Sequence, residues 1–203
     1  MAQPENDEFV LLVDPEWQNP EWQDPEAGGA PPFAAVVGMW PRLPDGTTGE
    51  FRPNPEYVPS FETSPTDPVD AALRLLLSGD VEPEILREVL LGSRVEVAMN
   101  GDGRPMVARS DDGVLCATIA TSAVHRRRLF SPEWRQVSTA ELLEVLAEGT
   151  DVLANPGSPA HVRLAYDFLL SATGTTATGT TAAAGAATTG ETSTPVANDE
   201  AQS

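Results

Sequence analysis

The sequence predicts an α+β protein with a mixed, largely antiparallel sheet and helices packed against it. Two stretches repeat apolar residues with the period of an α-helix, and several short stretches have the alternating or continuous apolar pattern of strands. Turn residues separate these stretches. The expected organisation is an extended segment over 1–32, an α+β domain over 33–172 and a tail over 173–203.

Both ends have compositions that predict disorder. The first thirty residues hold eight acidic residues and no basic one, with Pro15, Pro20 and Pro25 at five-residue intervals. Such prolines exclude a continuous helix or a central strand. Beyond Ala172 the chain is rich in Ala, Thr and Gly, with Val196 as its one branched aliphatic residue. That tail cannot bury enough apolar surface to offset about 1–2 kcal/mol of backbone entropy per ordered residue.

The overall composition excludes several classes of function. A net charge of −19 is opposite to the basic footprint that nucleic acids require, and it disfavours anionic membranes as well. No stretch has the length of apolar sequence that a membrane span needs, and the N-terminus lacks the features of a signal peptide. The single cysteine, Cys116, excludes an intramolecular disulfide. We therefore expect a cytoplasmic protein without membrane insertion.

Strands and two helices are predicted in the first half of the chain. The apolar run Phe9–Val13 is suited to add an edge strand to the sheet. Phe33–Trp40 and Thr48–Arg52 flank an Asp-Gly turn and predict an antiparallel hairpin. The apolar positions of Asp67–Ser78 share one helix face, with Thr66 or Asp67 as the cap. A second helix, from Glu82 and Pro83 to a stop at Gly92, completes an αα-hairpin.

The second half predicts the centre of the sheet. Arg94–Met99, Pro105–Ala108 and Val114–Ala120 form a three-stranded meander whose last strand is apolar enough to be central. Thr121 and Ser122 then begin a short helix that extends to Arg128.

A further strand, helix and strand close the predicted domain. Glu133–Val137 is a short strand, and a capping-box signature at Ser138–Glu141 starts a helix that ends before Gly149. Asp151–Ala154 is the last core strand, followed by a type II turn at 155–158. Beyond the turn, Pro159–Leu170 is one helix, or 162–164 is a brief strand before a helix from Ala165. The second alternative is favoured.

The residues capable of chemistry are few and widely spaced. Cys116 lies in an apolar strand, where a small buried residue is expected. The spacing of His125 and His161 does not indicate a catalytic triad, and no phosphate- or dinucleotide-binding motif is present. The segment Asn100–Gly103 lacks the glutamate of a calcium loop, so a hairpin turn is predicted there. We expect no catalytic residues, no metal site and no cofactor.

Two groups of residues are candidates for binding a partner. Trp17 and Trp22 belong to a tandem Pro-Glu-Trp-Gln repeat, which is either a linker that covers the domain or a docking peptide. Arg126, Arg127 and Arg128 are three of the twelve arginines. They form either a solvated helix end or a patch for an acidic segment, from a partner or from the chain's own N-terminus.

The turn at 155–158 predicts an alternative function. Backbone N–H groups at Asn155, Gly157 and Ser158 are suited to hold an anion. In this interpretation the protein is a regulatory module that binds a small molecule or anion.

Several short motifs occur in an order that resembles the N-terminal domain of the SseB family. They are VLCATIA leading into Thr121-Ser122, a stretch containing Trp134, then STAELLEVL and DVLANPGSPAHVRL. The phenylalanine that precedes Thr-Ser in that family is Ala120 here, so a pocket lined by this position would differ. A longer set is similar to actinobacterial proteins associated with type VII secretion: AAVVGMW, GEFRPNPEYVPS and TDPVDAALRLL. Together the motifs cover roughly Phe33–Leu170.

The resemblance implies an α+β domain and a link to a type VII (WXG100-type) secretion locus. It supplies no catalytic residues. The predicted function is therefore that of a non-enzymatic accessory protein or adaptor. It would bind protein partners from the secretion machinery or its substrates, while the partner and the oligomeric state stay open.

Overall fold

A computed structural model of the chain describes residues 8–17 and 31–174. Within these ranges five α-helices and two β-sheets form an α+β fold, as the sequence predicted. The predicted disorder of the two ends concerns mainly residues outside the described ones, among them Trp22. None of the helices in the described ranges is long and apolar enough to span a membrane.

The described residues contain nine strands and five α-helices. The strands are β1 Phe9–Val13, β2 Val36–Pro41, β3 Arg52–Pro53, β4 Val95–Met99, β5 Val107–Arg109, β6 Leu115–Ala120, β7 Glu133–Val137, β8 Val152–Ala154 and β9 Val162–Leu164. The helices are α1 Pro68–Ser78, α2 Pro83–Leu91, α3 Ala123–Arg126, α4 Thr139–Val145 and α5 Tyr166–Ala172.

The first three strands form a small antiparallel sheet of their own in the order β1-β2-β3. Phe9–Val13 is an edge strand, as predicted, and the sheet that it joins is this small one, because its pairing partner is β2. The predicted hairpin strand at Phe33 begins later than expected, since residues 33–35 form a 3-10 turn closed by the Ala35 N–H and the Pro32 carbonyl. An apolar run predicts a strand, but its partner depends on the packing of distant residues.

The main sheet has the order β7-β4-β6-β8-β9, with β5 also paired to β6. β6 is central, as predicted, and it runs parallel to β8 and antiparallel to β4 and β5. The predicted meander is wrong in one respect, because β5 does not lie between β4 and β6. Ile119 of β6 pairs with Val97 of β4, and Ala117 pairs with Val107 of β5. β4 and β5 therefore follow each other along one edge of β6, separated by the predicted turn at 100–103.

Four helices contribute to one hydrophobic core with the main sheet. Alternate residues of β4, β6 and β8 enter this core, as the side-chain alternation of strands requires. They contact apolar residues of α1, α2, α4 and α5 in a single cluster whose fully buried members include Leu73, Leu86, Ile119, Leu142 and Leu169. The predicted Asp67 cap of α1 and the capping box of α4 are both confirmed.

The end of the described chain follows the favoured alternative, a strand before a helix. β9 pairs with β8, and α5 begins directly after it. The first N–H group of α5, at Tyr166, donates to Asp151 Oδ1 over 2.9 Å. Asp151, just before β8, thus accepts a hydrogen bond from the N-terminus of α5. The residue at the N-cap position of this helix, Ala165, forms no side-chain cap itself.

Candidate functional site

A polar cluster connects the N-terminus of α1 to the ends of two strands and to α3. We call it the Thr66 cluster; its members are Thr66, Asp67, Asp70, Thr121, Ser122, His125 and Asn155. β6 and β8 are parallel, so Thr121 and Asn155, which follow them, lie side by side. Asn155 Oδ1 accepts the Thr121 N–H over 2.9 Å, and Asn155 Nδ2 donates to Thr121 Oγ1 over 3.0 Å. Asn155 is fully buried at a φ of 51°, a conformation that asparagine adopts more readily than most residues.

Asp67 attaches α1 to this end of the sheet. Its Oδ1 accepts the N–H groups of Val69 and Asp70 over 2.9 and 3.0 Å, which caps the helix. Its Oδ2 accepts the hydroxyl of Thr121 over 2.6 Å. Burial of the carboxylate raises the pKa of Asp67, because the charged form loses water, while these hydrogen bonds act in the opposite direction.

Asp70 is fully buried one turn further along α1. Its Oδ2 lies 3.0 Å from Arg74 Nη2 and 3.4 Å from His125 Nε2. Burial opposes ionisation of this carboxyl. The hydrogen bonds from His125, from Arg74 and from the Thr66 N–H outweigh it and hold the pKa of Asp70 below its usual value.

The hydroxyl of Thr66 lies at the centre of the cluster. Thr66 Oγ1 is 2.9 Å from Asp67 Oδ2, 3.0 Å from His125 Nε2 and 2.8 Å from Ser122 Oγ. The other ring nitrogen of His125, Nδ1, is buried and has no hydrogen-bond partner among the residues that the structure describes. A proton there would be an unsatisfied donor, so the contacts favour a proton on Nε2, which faces both Thr66 Oγ1 and Asp70 Oδ2.

The same cluster contains a set of atoms that could in principle hold a metal ion. One ligand atom each from Asp67, Asp70 and His125 lies within 4.8 Å of the others. The Thr66 hydroxyl already contacts all three, at up to 3.5 Å, and Arg74 neutralises Asp70. We therefore interpret the Thr66 cluster as a structural connection between α1, α3 and the sheet.

The three arginines predicted to bind a partner, Arg126, Arg127 and Arg128, differ in the contacts that they make. Arg126 Nη1 forms an ion pair with Glu96 Oε1 of β4 at 2.7 Å. Arg128 Nη1 donates to the carbonyl of Gly157 over 2.7 Å. The guanidinium of Arg127 is exposed and has no ion-pair or hydrogen-bond partner among the described residues.

Apolar side chains extend the surface around Arg127. Val124 belongs to α3, and Arg127 and Arg128 directly follow the end of this helix. Val124 is 43 % exposed, and Phe130 is 89 % exposed. We call Val124, Arg127, Arg128 and Phe130 the Phe130 patch. The arginines of this patch were predicted from the sequence, whereas Phe130 was not, because its exposure has no local sequence signal.

At the predicted anion site in the 155–158 turn, two of the backbone N–H groups already donate hydrogen bonds within the protein. The Asn155 N–H donates to the Ile119 carbonyl over 3.0 Å, and the Ser158 N–H donates to the Asn155 carbonyl over 3.1 Å. Gly157 has a φ of 75°, as the third residue of a type II turn requires. The N–H groups of Asn155 and Ser158 are therefore not free to bind an anion, and the turn is poorly suited to be an anion site.

Of the two predicted tryptophans, Trp17 lies within the described residues. It is half-buried, and its Nε1 donates to Ser60 Oγ over 3.0 Å. The neighbouring Glu16 accepts the hydroxyl of Thr63 over 3.0 Å. Trp17 therefore contacts the segment before α1, in line with a linker that covers part of the domain. Trp22 lies outside the described residues.

A second group of titratable residues lines a cavity of about 300 Å³ beside β9. His161 Nε2 lies 3.0 Å from Asp111 Oδ2, and Nδ1 lies 2.9 Å from the Ser158 carbonyl. Asp111 first and Ser158 second raise the pKa of His161, since both acceptors favour the imidazolium. Cys116 is buried, as predicted, and burial raises the pKa of its thiol. A buried thiol with a raised pKa is protonated at neutral pH and makes a poor nucleophile.

Comparison with known proteins adds no further constraint. No family model matches the chain, and no curated protein or solved structure is significantly similar to it. The resemblance to the SseB domain and to type VII secretion proteins stays a prediction from sequence motifs.

Proposed function

We propose that this protein is a non-enzymatic accessory protein or adaptor of a type VII (WXG100-type) secretion system. It acts in the cytoplasm by binding protein partners. The observation that supports binding is the Phe130 patch. Complete burial of a phenylalanine side chain is worth about 1.5–3 kcal/mol, yet Phe130 leaves 89 % of its surface in water. Together with Val124 and Arg127 it is suited to be covered by another protein.

The chemistry of the patch indicates which partners it suits. Arg127 brings a positive charge without a counter-ion among the described residues, and the exposed ring of Phe130 follows three residues later in the chain. Arginine and aromatic side chains are enriched among the residues that dominate binding energies. An acidic segment with an apolar side chain complements this surface, and the charges would set its orientation.

The proposal of a non-enzymatic role is supported by the state of the titratable groups. Asp67 and Asp70 are engaged by the helix cap, Thr121, Arg74 and His125. His161 has an acceptor at each ring nitrogen. The link to secretion is supported by the order of the motifs between Phe33 and Leu170.

Affinity purification with mass spectrometry from the native host tests this function. The wild-type protein should recover proteins of the secretion locus, and R127E/F130S should recover them at least tenfold less. The control R104E/V107S makes the same change of charge and polarity at another exposed arginine and valine. Recovery of no secretion protein by the wild type, or equal recovery by R127E/F130S, would contradict the proposal.

A further inference from the structure

A groove of about 520 Å³ lies between the segment before β3 and the end of α2, far in sequence from the Phe130 patch. Its walls include Glu50 and Phe51 on one side and Glu88, Leu91 and Gly92 on the other. Leu91 is 50 % exposed here, although its neighbour Leu90 is buried in the core. We call this site the Glu50–Glu88 groove.

Close packing keeps the floor of the groove in place. The ring of Phe51 lies 4.7 Å from the ring of Trp40. A Cβ atom at Gly92 would lie 2.4 Å from the Phe51 carbonyl oxygen, and one at Gly38 would lie 2.1 Å from the Phe51 ring. Glycine at position 92 lets the end of α2 approach the backbone of Phe51, and glycine at position 38 of β2 leaves room for the Phe51 ring. The groove is therefore a preformed feature of the junction between α2 and the small sheet, and an occupant needs to supply little energy to open it.

The groove carries two acidic side chains that the fold does not neutralise. Glu50 and Glu88 are both exposed, and their carboxylates make no ion pair within residues 8–17 and 31–174. Glu84, on the same helix as Glu88, is paired with Arg87 at 3.4 Å. An apolar surface bordered by two unpaired carboxylates complements a side chain with an apolar stem and a positive head.

We propose that the Glu50–Glu88 groove binds a basic segment of a partner protein, in which an arginine lies next to an aliphatic or aromatic residue. The guanidinium contacts the two carboxylates, and the apolar neighbour covers Leu91. Arginine fits better than lysine, because its planar group donates to two carboxylates at once and is less strongly hydrated. The net charge of −19 increases the rate of encounter with such a segment.

The inference extends the proposed function and rests on it for the identity of the partner as a secretion protein. The Phe130 patch suits an acidic segment, whereas this groove suits a basic one. An adaptor with both surfaces can hold two chemically different proteins, or two parts of one protein, without competition between them.

The test uses the full-length protein labelled with ¹⁵N and a synthetic peptide of alternating arginine and leucine. The peptide should shift the amide resonances of Phe51, Leu91 and Gly92 in a saturable, salt-dependent manner. A second peptide, with citrulline in place of arginine, keeps the shape but removes the charge and should bind about tenfold more weakly. E50Q/E88Q should weaken binding of the arginine peptide by about five- to tenfold.

The variant E144Q/E148Q is the matched control, because it removes two exposed acidic charges from another part of the surface. It should leave the affinity unchanged within about twofold. Equal loss of affinity in both variants, or resonance shifts spread over the acidic surface, would overturn the groove as the site.

Purification of E50Q/E88Q from the native host separates this inference from the proposed function. Secretion-locus proteins recovered equally by the wild type and by E50Q/E88Q would overturn the groove but leave the proposed function in place. Saturable peptide binding at the groove, without recovery of any secretion-locus protein, would support the groove and overturn the proposed function.

Discussion

Thr66 shows how much one hydroxyl group can organise in this molecule. It precedes α1, yet its Oγ1 lies 2.8 Å from Ser122 and 3.0 Å from His125, both more than fifty residues away in sequence. Because Ser122 and His125 belong to the start of α3, this one side chain connects the two helices. Sequence analysis identified Thr66 only as a possible cap, since its distant partners leave no local pattern.

Thr66→Val should destabilise the protein by about 1–3 kcal/mol. The substitution keeps the shape of the side chain but leaves His125 Nε2 and Ser122 Oγ without their common partner. Thr66→Ser keeps the hydroxyl and should cost clearly less. Urea unfolding followed by circular dichroism measures both, and equal losses would show that the hydroxyl is not responsible.

Asp70 should make stability depend on acid pH. Its pKa in the folded state lies below the unfolded value of about 3.9, so its contribution is fully present above about pH 4. The contribution is lost as the pH falls through the folded pKa. Asp67, whose pKa is raised, acts with the opposite sign, and its contribution is lost as the pH rises through its folded pKa.

Arg74→Gln isolates the effect of Asp70. At neutral pH it should cost about 1–3 kcal/mol, because the buried carboxylate loses its guanidinium partner. The difference from the wild type should shrink as the pH falls below about 4 and through the folded pKa of Asp70, because the carboxyl is then protonated in both the unfolded and the folded chain. Arg94→Gln, which breaks a half-exposed pair with Glu141, should cost under about 1 kcal/mol at any pH. A pH-independent loss in Arg74→Gln would contradict this assignment.

At the scale of helices and strands, the helix boundaries could be predicted from local sequence. The pairing partners of the strands could be predicted only in part. Asp67 caps α1, Gly79 ends it in the left-handed conformation, and Ser138 with Glu141 forms the capping box of α4. Each of these signals acts within a few residues, so the sequence shows it directly. The pairing of β5 with β6 was predicted correctly, but β5 does not separate β4 from β6, because β4 itself pairs with β6 at Val97 and Ile119.

The junction of α2 with the small sheet gives a prediction at this scale. Gly92→Ala should destabilise the protein by about 1–3 kcal/mol, because the new methyl group would meet the Phe51 carbonyl at 2.4 Å. The backbone of Gly92, at a φ of −82°, tolerates alanine, so the cost comes from packing. Gly101→Ala, in open space, is the control. Thermal unfolding measures both variants: a lower melting temperature for Gly92→Ala than for Gly101→Ala would support the close approach, and equal melting temperatures would contradict it.

For the whole molecule, binding and stability should be separable. Arg127 and Phe130 are exposed and make few contacts with the fold, so R127E/F130S should change stability by less than about 0.5 kcal/mol. It should nevertheless reduce partner recovery, with the reduction strongest at low salt. A large loss of stability in thermal unfolding would show that the patch belongs to the fold.

The amino-acid sequence by itself determined the α+β class, the helix caps, the central place of β6 and the turn at 155–158. These features depend on periodicity and on turn chemistry between near neighbours. The Phe130 patch was visible in part, through Arg127 and Arg128. Its aromatic member was not, because exposure is a property of the folded surface.

Only the tertiary structure decided which strands pair, how the Thr66 cluster assembles and where the Glu50–Glu88 groove lies. Phe9–Val13 pairs with β2 in a separate sheet, and Thr121 and Asn155 meet because β6 and β8 are parallel. These arrangements are stabilised by contacts between residues that are many positions apart in the sequence. The apolar pattern of one strand is compatible with several neighbouring strands, and the packing of the complete chain determines which of them it pairs with.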